Sequence, residues 1–159
     1  MFISIHANSS RIRAAHGIET YFLNFTSSRE ALETASRENA ASERSIHELQ
    51  DLVKKIMLRD KLDESRELAQ HIQRAALAHR KGGALDRGVK QAPFVVLIGA
   101  NMPSILSEVC FISNPEEERF VKTAENRQAI AESLFEGVRS YAESLSGTKA
   151  AKTQGKTQE

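Results

Sequence analysis

Apolar positions along the chain come in short blocks separated by one long polar stretch. Phe2, Ile3 and Ile5 open the chain, two of them β-branched, and predict a strand over Met1–His6. A second block, Ile18–Leu23, is entered through Gly17 and left through Asn24, with polar residues 7–16 between the two. Phe94–Ile98 is apolar at every position, the pattern of a strand buried on both faces. Gly99–Pro103 reads as a turn, and Ser104–Val109 as a further strand.

The stretch from Thr26 to Arg80 has helical periodicity instead. Ser28 can cap a first helix carrying Ala31, Leu32 and Ala35. Ser45-Ile46-His47-Glu48 has the form of a capping box, followed by Ile46, Leu49, Val53 and Ile56 on one face. Arg59, Asp60 and Lys61 interrupt that stripe. A further helix is expected from about Glu64 to His79, with Leu68, Ile72, Ala75 and Ala76 inward and Lys81-Gly82-Gly83 as its stop. Asn114-Pro115-Glu116-Glu117 is a helix start with Asn as N-cap. The helix it opens is expected to reach about Leu145, burying Ile130, Leu134, Val138, Tyr141 and Leu145. Residues 146–159 are polar and are expected to be a disordered tail. Strands separated by helices predict an α/β fold, a mixed or parallel sheet flanked by helices on both faces, over residues 1–145.

Composition narrows the function classes. The 159 residues carry 22 Lys+Arg against 21 Asp+Glu, a net charge of +1. That balance argues against a general electrostatic grip on nucleic acid or on an anionic membrane. No apolar run approaches the roughly 18–20 residues of a transmembrane segment, and no export signal is read at the N-terminus. The single cysteine, Cys110, lies among apolar residues, so neither an internal disulfide nor a reactive thiol is expected.

Two residues stand out chemically. His6 ends the first strand, where functional groups of open α/β sheets gather, with Asn8 and Ser9 placed to orient an imidazole or a ligand. Glu108 lies in an apolar strand between Leu106 and Phe111. A buried acid costs several kcal/mol unless paired, ligated or protonated. It is either a salt-bridge partner of Arg87 or Lys90, or a general base with a raised pKa. Of the other imidazoles, His71 lies near the Ile72 stripe, while His47 and His79 are expected to be solvated.

Three segments together resemble the zinc-dependent N-acetylmuramoyl-L-alanine amidases of type 3: Phe2-Ile3-Ser4-Ile5-His6-Ala7-Asn8, Gly17-Ile18-Glu19-Thr20-Tyr21, and Pro103-Ser104-Ile105-Leu106-Ser107-Glu108-Val109-Cys110-Phe111-Ile112-Ser113-Asn114. The resemblance runs to about Leu145. It implies a hydrolase that cuts the amide between N-acetylmuramic acid and L-alanine in bacterial peptidoglycan. It further implies that His6 is a ligand of Zn2+ and that Glu108 is the catalytic carboxylate, taking a proton from water and passing it to the leaving amine. Work in the periplasm or cell wall is implied by the resemblance alone.

The family's other two zinc ligands, a His and a Glu, belong upstream of the strand with which this sequence begins. A catalytic zinc normally has three protein ligands. The chain is therefore expected to be either the C-terminal portion of a working amidase catalytic domain, or a truncated, non-catalytic fragment unable to bind zinc, at most a wall- or partner-binding module. In some relatives a helical insertion plugs the active site until an activator protein releases it, restraining wall cutting during cell division. Residues 26–80 occupy the corresponding place, and Glu38, Glu43 and Glu48 are candidate blocking acids, set against a plain scaffold whose acids face water. Residues 87–91 are expected to be a loop near the anionic glycan peptide.

Overall fold

The computed structural model describes residues 1–40, 59–78, 80, 83–98 and 100–154, with backbone alone at 59–61 and 147–154. Four strands, β1 (Phe2–Asn8), β2 (Ile18–Leu23), β3 (Asp86–Ala92) and β4 (Ser104–Phe111), form one sheet in the order β1-β4-β2-β3. β1 runs parallel to β4, β4 antiparallel to β2, and β2 parallel to β3. The sheet is therefore mixed, and helices flank it on both faces, as the pattern of blocks implies. The described helices are α1 (Arg29–Ala40), α2 (Arg59–Ala78), α3 (Val95–Ile98), α4 (Pro115–Lys122) and α5 (Ala124–Gln154). None is long and apolar enough to cross a membrane.

β2 and β4 are buried along their whole lengths, because each has a strand on either side and a helical layer above and below. Alternation sends Tyr21, Leu23 and Leu106 to one face, against Ala31 and Ala35 of α1 and against Phe94, Leu97 and Ile98. Phe22, Ile105 and Val109 go to the other, against Leu68, Ala69 and Ile72 of α2 and Leu134 and Tyr141 of α5. α1 starts as expected, with Ser28 Oγ accepting from the Ala31 N–H at 3.3 Å. Its buried residues are Ala31, Thr34 and Ala35, whereas Leu32 is exposed.

Several expectations are corrected. Phe94–Ile98 is not a strand. Pro93 ends β3, and the Asn39 side chain of α1 bonds both the Pro93 carbonyl and the Val95 N–H at 2.9 Å, so a short helix starts there. Phe94, Leu97 and Ile98 are buried while Val96 is exposed, which is helical spacing; five apolar residues alone do not separate the two periodicities. The strand lies just upstream, in the polar residues 86–92 that were expected to form a loop.

α2 begins at Arg59, where an interruption was expected. The C-terminal helix is two helices. Asn114 caps α4 by accepting from Glu116 and Glu117, and Thr123 breaks the backbone before its hydroxyl caps α5. α5 then continues to Gln154, past the expected start of a disordered tail at Ser146. The capping box at Ser45–Glu48 and the stripe from Ile46 to Ile56 lie outside the described residues.

α2 and α5 approach each other closely at Gly137. A Cβ there would stand 2.8 Å from Ile72 Cδ1 and 2.9 Å from Ile72 Cα. Replacing Gly by Ala inside a helix ordinarily gains about 1 kcal/mol. At this crossing the backbone of α2 would have to move, at a cost of roughly 1–3 kcal/mol. Gly137→Ala is therefore expected to lower the midpoint of denaturant unfolding; an unchanged or raised midpoint would show that the two helices separate freely.

Candidate active site around Glu108

Strand pairing lines up three ionisable residues. His6 of β1, Glu108 of β4 and Glu19 of β2 are direct cross-strand partners, so they project from the same face of the sheet. α1 lies over that face. The structure thus brings the two sequence-predicted residues, His6 and Glu108, side by side, and adds Glu19 to them.

Glu108 is fully buried, and neither carboxylate oxygen has a hydrogen-bond partner among the described residues. Burial pushes its pKa up to about 8, helped by the negative charges of Glu38 and Glu19 and opposed by Arg37. The salt bridge to Arg87 or Lys90 allowed by the sequence does not form; both cations go to Glu19. Arg87 Nε reaches Glu19 Oε2 at 2.8 Å and Lys90 Nζ reaches it at 2.7 Å. Asn8 Nδ2 and the Tyr21 hydroxyl donate to Oε1 at 2.7 and 2.8 Å. Burial raises the Glu19 pKa, but the Lys90, Arg87 and Tyr21 bonds outweigh it and hold the group below its ordinary value.

A bulge makes that arrangement possible. Ile18 pairs with Asp86 but Thr20 pairs with Val89, so β3 carries an extra residue beside Gly88, which sits at φ 81°. Arg87 and Lys90, three apart, would fall on opposite faces of a regular strand; the bulge turns both towards Glu19. Both also pair with Glu30 at the start of α1. The residues expected to meet a glycan peptide are therefore engaged internally.

His6 is oriented differently from the expectation. Its Nε2 lies 2.8 Å from Ser4 Oγ, and its Nδ1 lies 2.7 Å from Glu38 Oε2 on α1. Among the described residues the imidazole bonds Ser4 and Glu38 rather than Asn8. Asn8 binds Glu19, and its Oδ1 accepts from Ser9 N–H and Arg37 Nη2. Of the three candidate blocking acids, Glu38 thus sits on the site; Glu43 and Glu48 lie outside the described residues. No group of three His, Cys, Asp or Glu residues among the described residues is arranged to hold a metal ion.

The remaining candidates play other parts. His71 Nδ1 lies 2.8 Å from Ser140 Oγ and its ring meets Tyr141 edge-on. Cys110 is buried, and burial raises its thiol to about 11, so it is no nucleophile. His47 and His79 are outside the described residues. Glu19 was missed as a site residue, although the signal used for Glu108, an acid inside an apolar strand, applies equally to it.

Glu108 should make folding stability pH-dependent in the metal-free protein. The folded state holds its proton up to about pH 8 and the unfolded chain only to about 4.5. The stability it contributes when neutral is complete below the lower value and is lost as pH rises to the higher one. We expect a loss of roughly 3–5 kcal/mol across that window, and Glu108→Gln should flatten it in denaturant titrations at successive pH values. A slope that persists in the variant would exclude Glu108 as its source.

Comparison with known proteins shows the family. The family model for N-acetylmuramoyl-L-alanine amidase (Amidase_3) matches residues 1–140. The chain is 37% identical over 150 residues to the N-acetylmuramoyl-L-alanine amidase AmiA of Escherichia coli K12, across 89% of this chain and 51% of that protein. It is 31% identical over 156 residues to AmiC of Escherichia coli O6:H1, covering 89% of this chain and 35% of AmiC. Among solved structures, an N-acetylmuramoyl-L-alanine amidase from Clostridium difficile 630 superposes with a TM-score of 0.61 at 28% identity, over 89% of this chain and 57% of that one. The chain therefore spans about half the length of AmiA. With the segments that carry His6, Glu19 and Glu108 all inside the matched region, the chain belongs to the N-acetylmuramoyl-L-alanine amidase family.

Proposed function

We propose that this chain carries the proton-transfer half of a peptidoglycan amidase site, with Glu108 as its general base and acid. The observation that carries the reading is a fully buried, unpartnered carboxylate set beside His6 in one cross-strand row. The bond cut is the amide between N-acetylmuramic acid and L-alanine, in the periplasm or cell wall. Glu108 takes a proton from the attacking water as the new C–O bond forms. It returns that proton to the leaving L-alanine nitrogen as the C–N bond breaks. A pKa of about 8 suits both roles, since the acid and base forms are then each accessible near neutrality.

Zinc, which the family implies, would polarise the scissile carbonyl and acidify a bound water. The described residues do not fit a complete zinc site. They offer His6 with Glu38 against it, and no third donor converges there. His6 is the ligand candidate of this chain, and further donors have to come from residues beyond those described. The same shortfall supports a second reading, a non-catalytic wall- or partner-binding module.

Glu38 has the position of a blocking acid. It occupies one ring nitrogen of the ligand candidate and raises the Glu108 pKa by its charge. α1 would then gate the site, with a partner protein lifting it as the activating step.

Two measurements separate these readings. With the remainder of a family catalytic domain supplied, Glu108→Gln should cut muropeptide release from cell-wall sacculi about 10²–10⁴-fold while leaving bound zinc unchanged; retained release would remove Glu108 from its role. Glu38→Gln should raise zinc uptake and release together if α1 is a gate, and leave both unchanged if it is scaffold. A domain completed in this way that takes up no stoichiometric zinc and releases nothing would favour the binding module.

A further inference from the structure

β4 is irregular immediately after Glu108. His6 pairs with Glu108, but Asn8, two residues further along β1, pairs with Phe111, three residues further along β4. One extra residue thus lies between Glu108 and Phe111, a bulge at the carboxyl end of the strand. The ladder with β2 ends at the same level, at the Glu19 and Glu108 pair. The place of the bulge matters. One position earlier, Glu108 itself would be the extra residue, and its side chain would leave the row with His6 and Glu19. A bulge also takes backbone groups out of the ladder, and buried groups of that kind need other partners.

Here the partners are two side chains from other elements. Glu117, in the first turn of α4, accepts from the Phe111 N–H through Oε2 at 2.5 Å. Arg80, just past the end of α2, donates through Nη1 to the Val109 carbonyl at 3.1 Å. The two side chains are joined to each other, Arg80 Nη2 to Glu117 Oε1 at 3.2 Å, and are only 7% and 9% exposed. Glu117 Oε1 also accepts from the Gly17 N–H at 3.1 Å, two residues ahead of Glu19 in the chain. The Arg80 guanidinium lies over the Phe120 ring of α4, 3.7 Å from its centroid. Past the bulge, the Ile112 N–H donates to the Asn8 carbonyl at 2.7 Å, and the Asn8 side chain goes on to Glu19. None of the clamping groups belongs to α1, so the clamp does not depend on where α1 lies. A buried ion pair is weak evidence for stability in itself. This one directs its hydrogen bonds to the backbone on both flanks of the bulge.

We propose that Arg80 and Glu117 are positioning residues for Glu108: they pin the bulge behind it and so hold its carboxyl in the row with His6. This deepens the reading of Glu108 as the proton carrier and rests on that reading for its effect on catalysis.

Two readouts test the clamp, one of them without zinc or turnover. Glu117→Gln leaves one acceptor oxygen for three donors. In the ¹⁵N-labelled 159-residue chain, its amide signals at His6, Asn8, Glu19 and Glu108 are expected to shift together with those of residues 109–112. Gly137→Ala is the control for lost stability, since it disturbs the crossing of α2 and α5; it should leave the His6 and Glu19 signals in place. In the domain completed with the remainder of the family fold, Glu117→Gln is expected to lower kcat for muropeptide release by about 10–10²-fold with KM unchanged. Gly137→Ala should leave both constants within about twofold, because it misplaces no group of the site. Arg80→Lys keeps the charge and loses the planar fork. It is expected to move the same amide signals by less, and it supplies both readouts if Glu117→Gln does not fold. Row signals that stay in place in a folded variant, a kcat no lower than that of Gly137→Ala, or a loss confined to KM would each overturn the proposal. Retained release in Glu108→Gln would sink the hydrolysis reading instead, and the amide signals would still decide whether the clamp positions Glu108.

Discussion

The site depends on one constraint: β4 is the strand that must be paired on both edges and covered on both faces, yet it carries an ionisable carboxyl. All eight of its residues are buried. Its parallel pairing with β1 and antiparallel pairing with β2 set the register that places Glu108 between His6 and Glu19. A slip by one residue would turn Glu108 into the opposite layer, against Leu68 and Ile72, and break the row. Keeping such a group without a hydrogen bond costs stability, and what the protein gains is a carboxyl whose proton is held loosely near neutral pH.

Glu19 and Glu108 show how environment separates two identical groups. Both are fully buried and face one another across a strand pair. Glu19 receives bonds from Asn8, Tyr21, Arg87 and Lys90 and stays ionised; Glu108 receives none and holds its proton. The paired acid makes the neighbouring one harder to ionise. It also ties β1, β2 and β3 together at the level of the site, so its structural and electrostatic effects come from the same bonds.

α1 links this row to the rest of the molecule. Its first turn meets the β3 cations through Glu30, Ala31 and Ala35 enter the core, and its last turns carry Arg37 to Asn8, Glu38 to His6 and Asn39 to the start of α3. Movement of this one helix would therefore change the contact on the imidazole and the charge near Glu108 together, with no separate lever.

Much of this was legible in the chain. β-branched and aromatic blocks marked β1, β2 and β4, Asn114-Pro115 marked the start of α4, and the motif order singled out His6 and Glu108, which the fold sets side by side. These signals are local, carried by neighbouring residues whose preferences do not depend on distant partners. Phe94–Ile98 misled because five apolar residues suit a buried strand and a buried helical turn alike, and the choice was made by Asn39 from another element. β3 was hidden because its polar residues are matched by Glu19 and Glu30 rather than by their own hydrophobicity. The sequence by itself determined which residues could do chemistry. Only the tertiary structure decided the surroundings of each one, because the pKa of Glu108, the pairing of Glu19 and the contact of Glu38 with His6 all arise from burial and charge supplied by elements far apart in the chain.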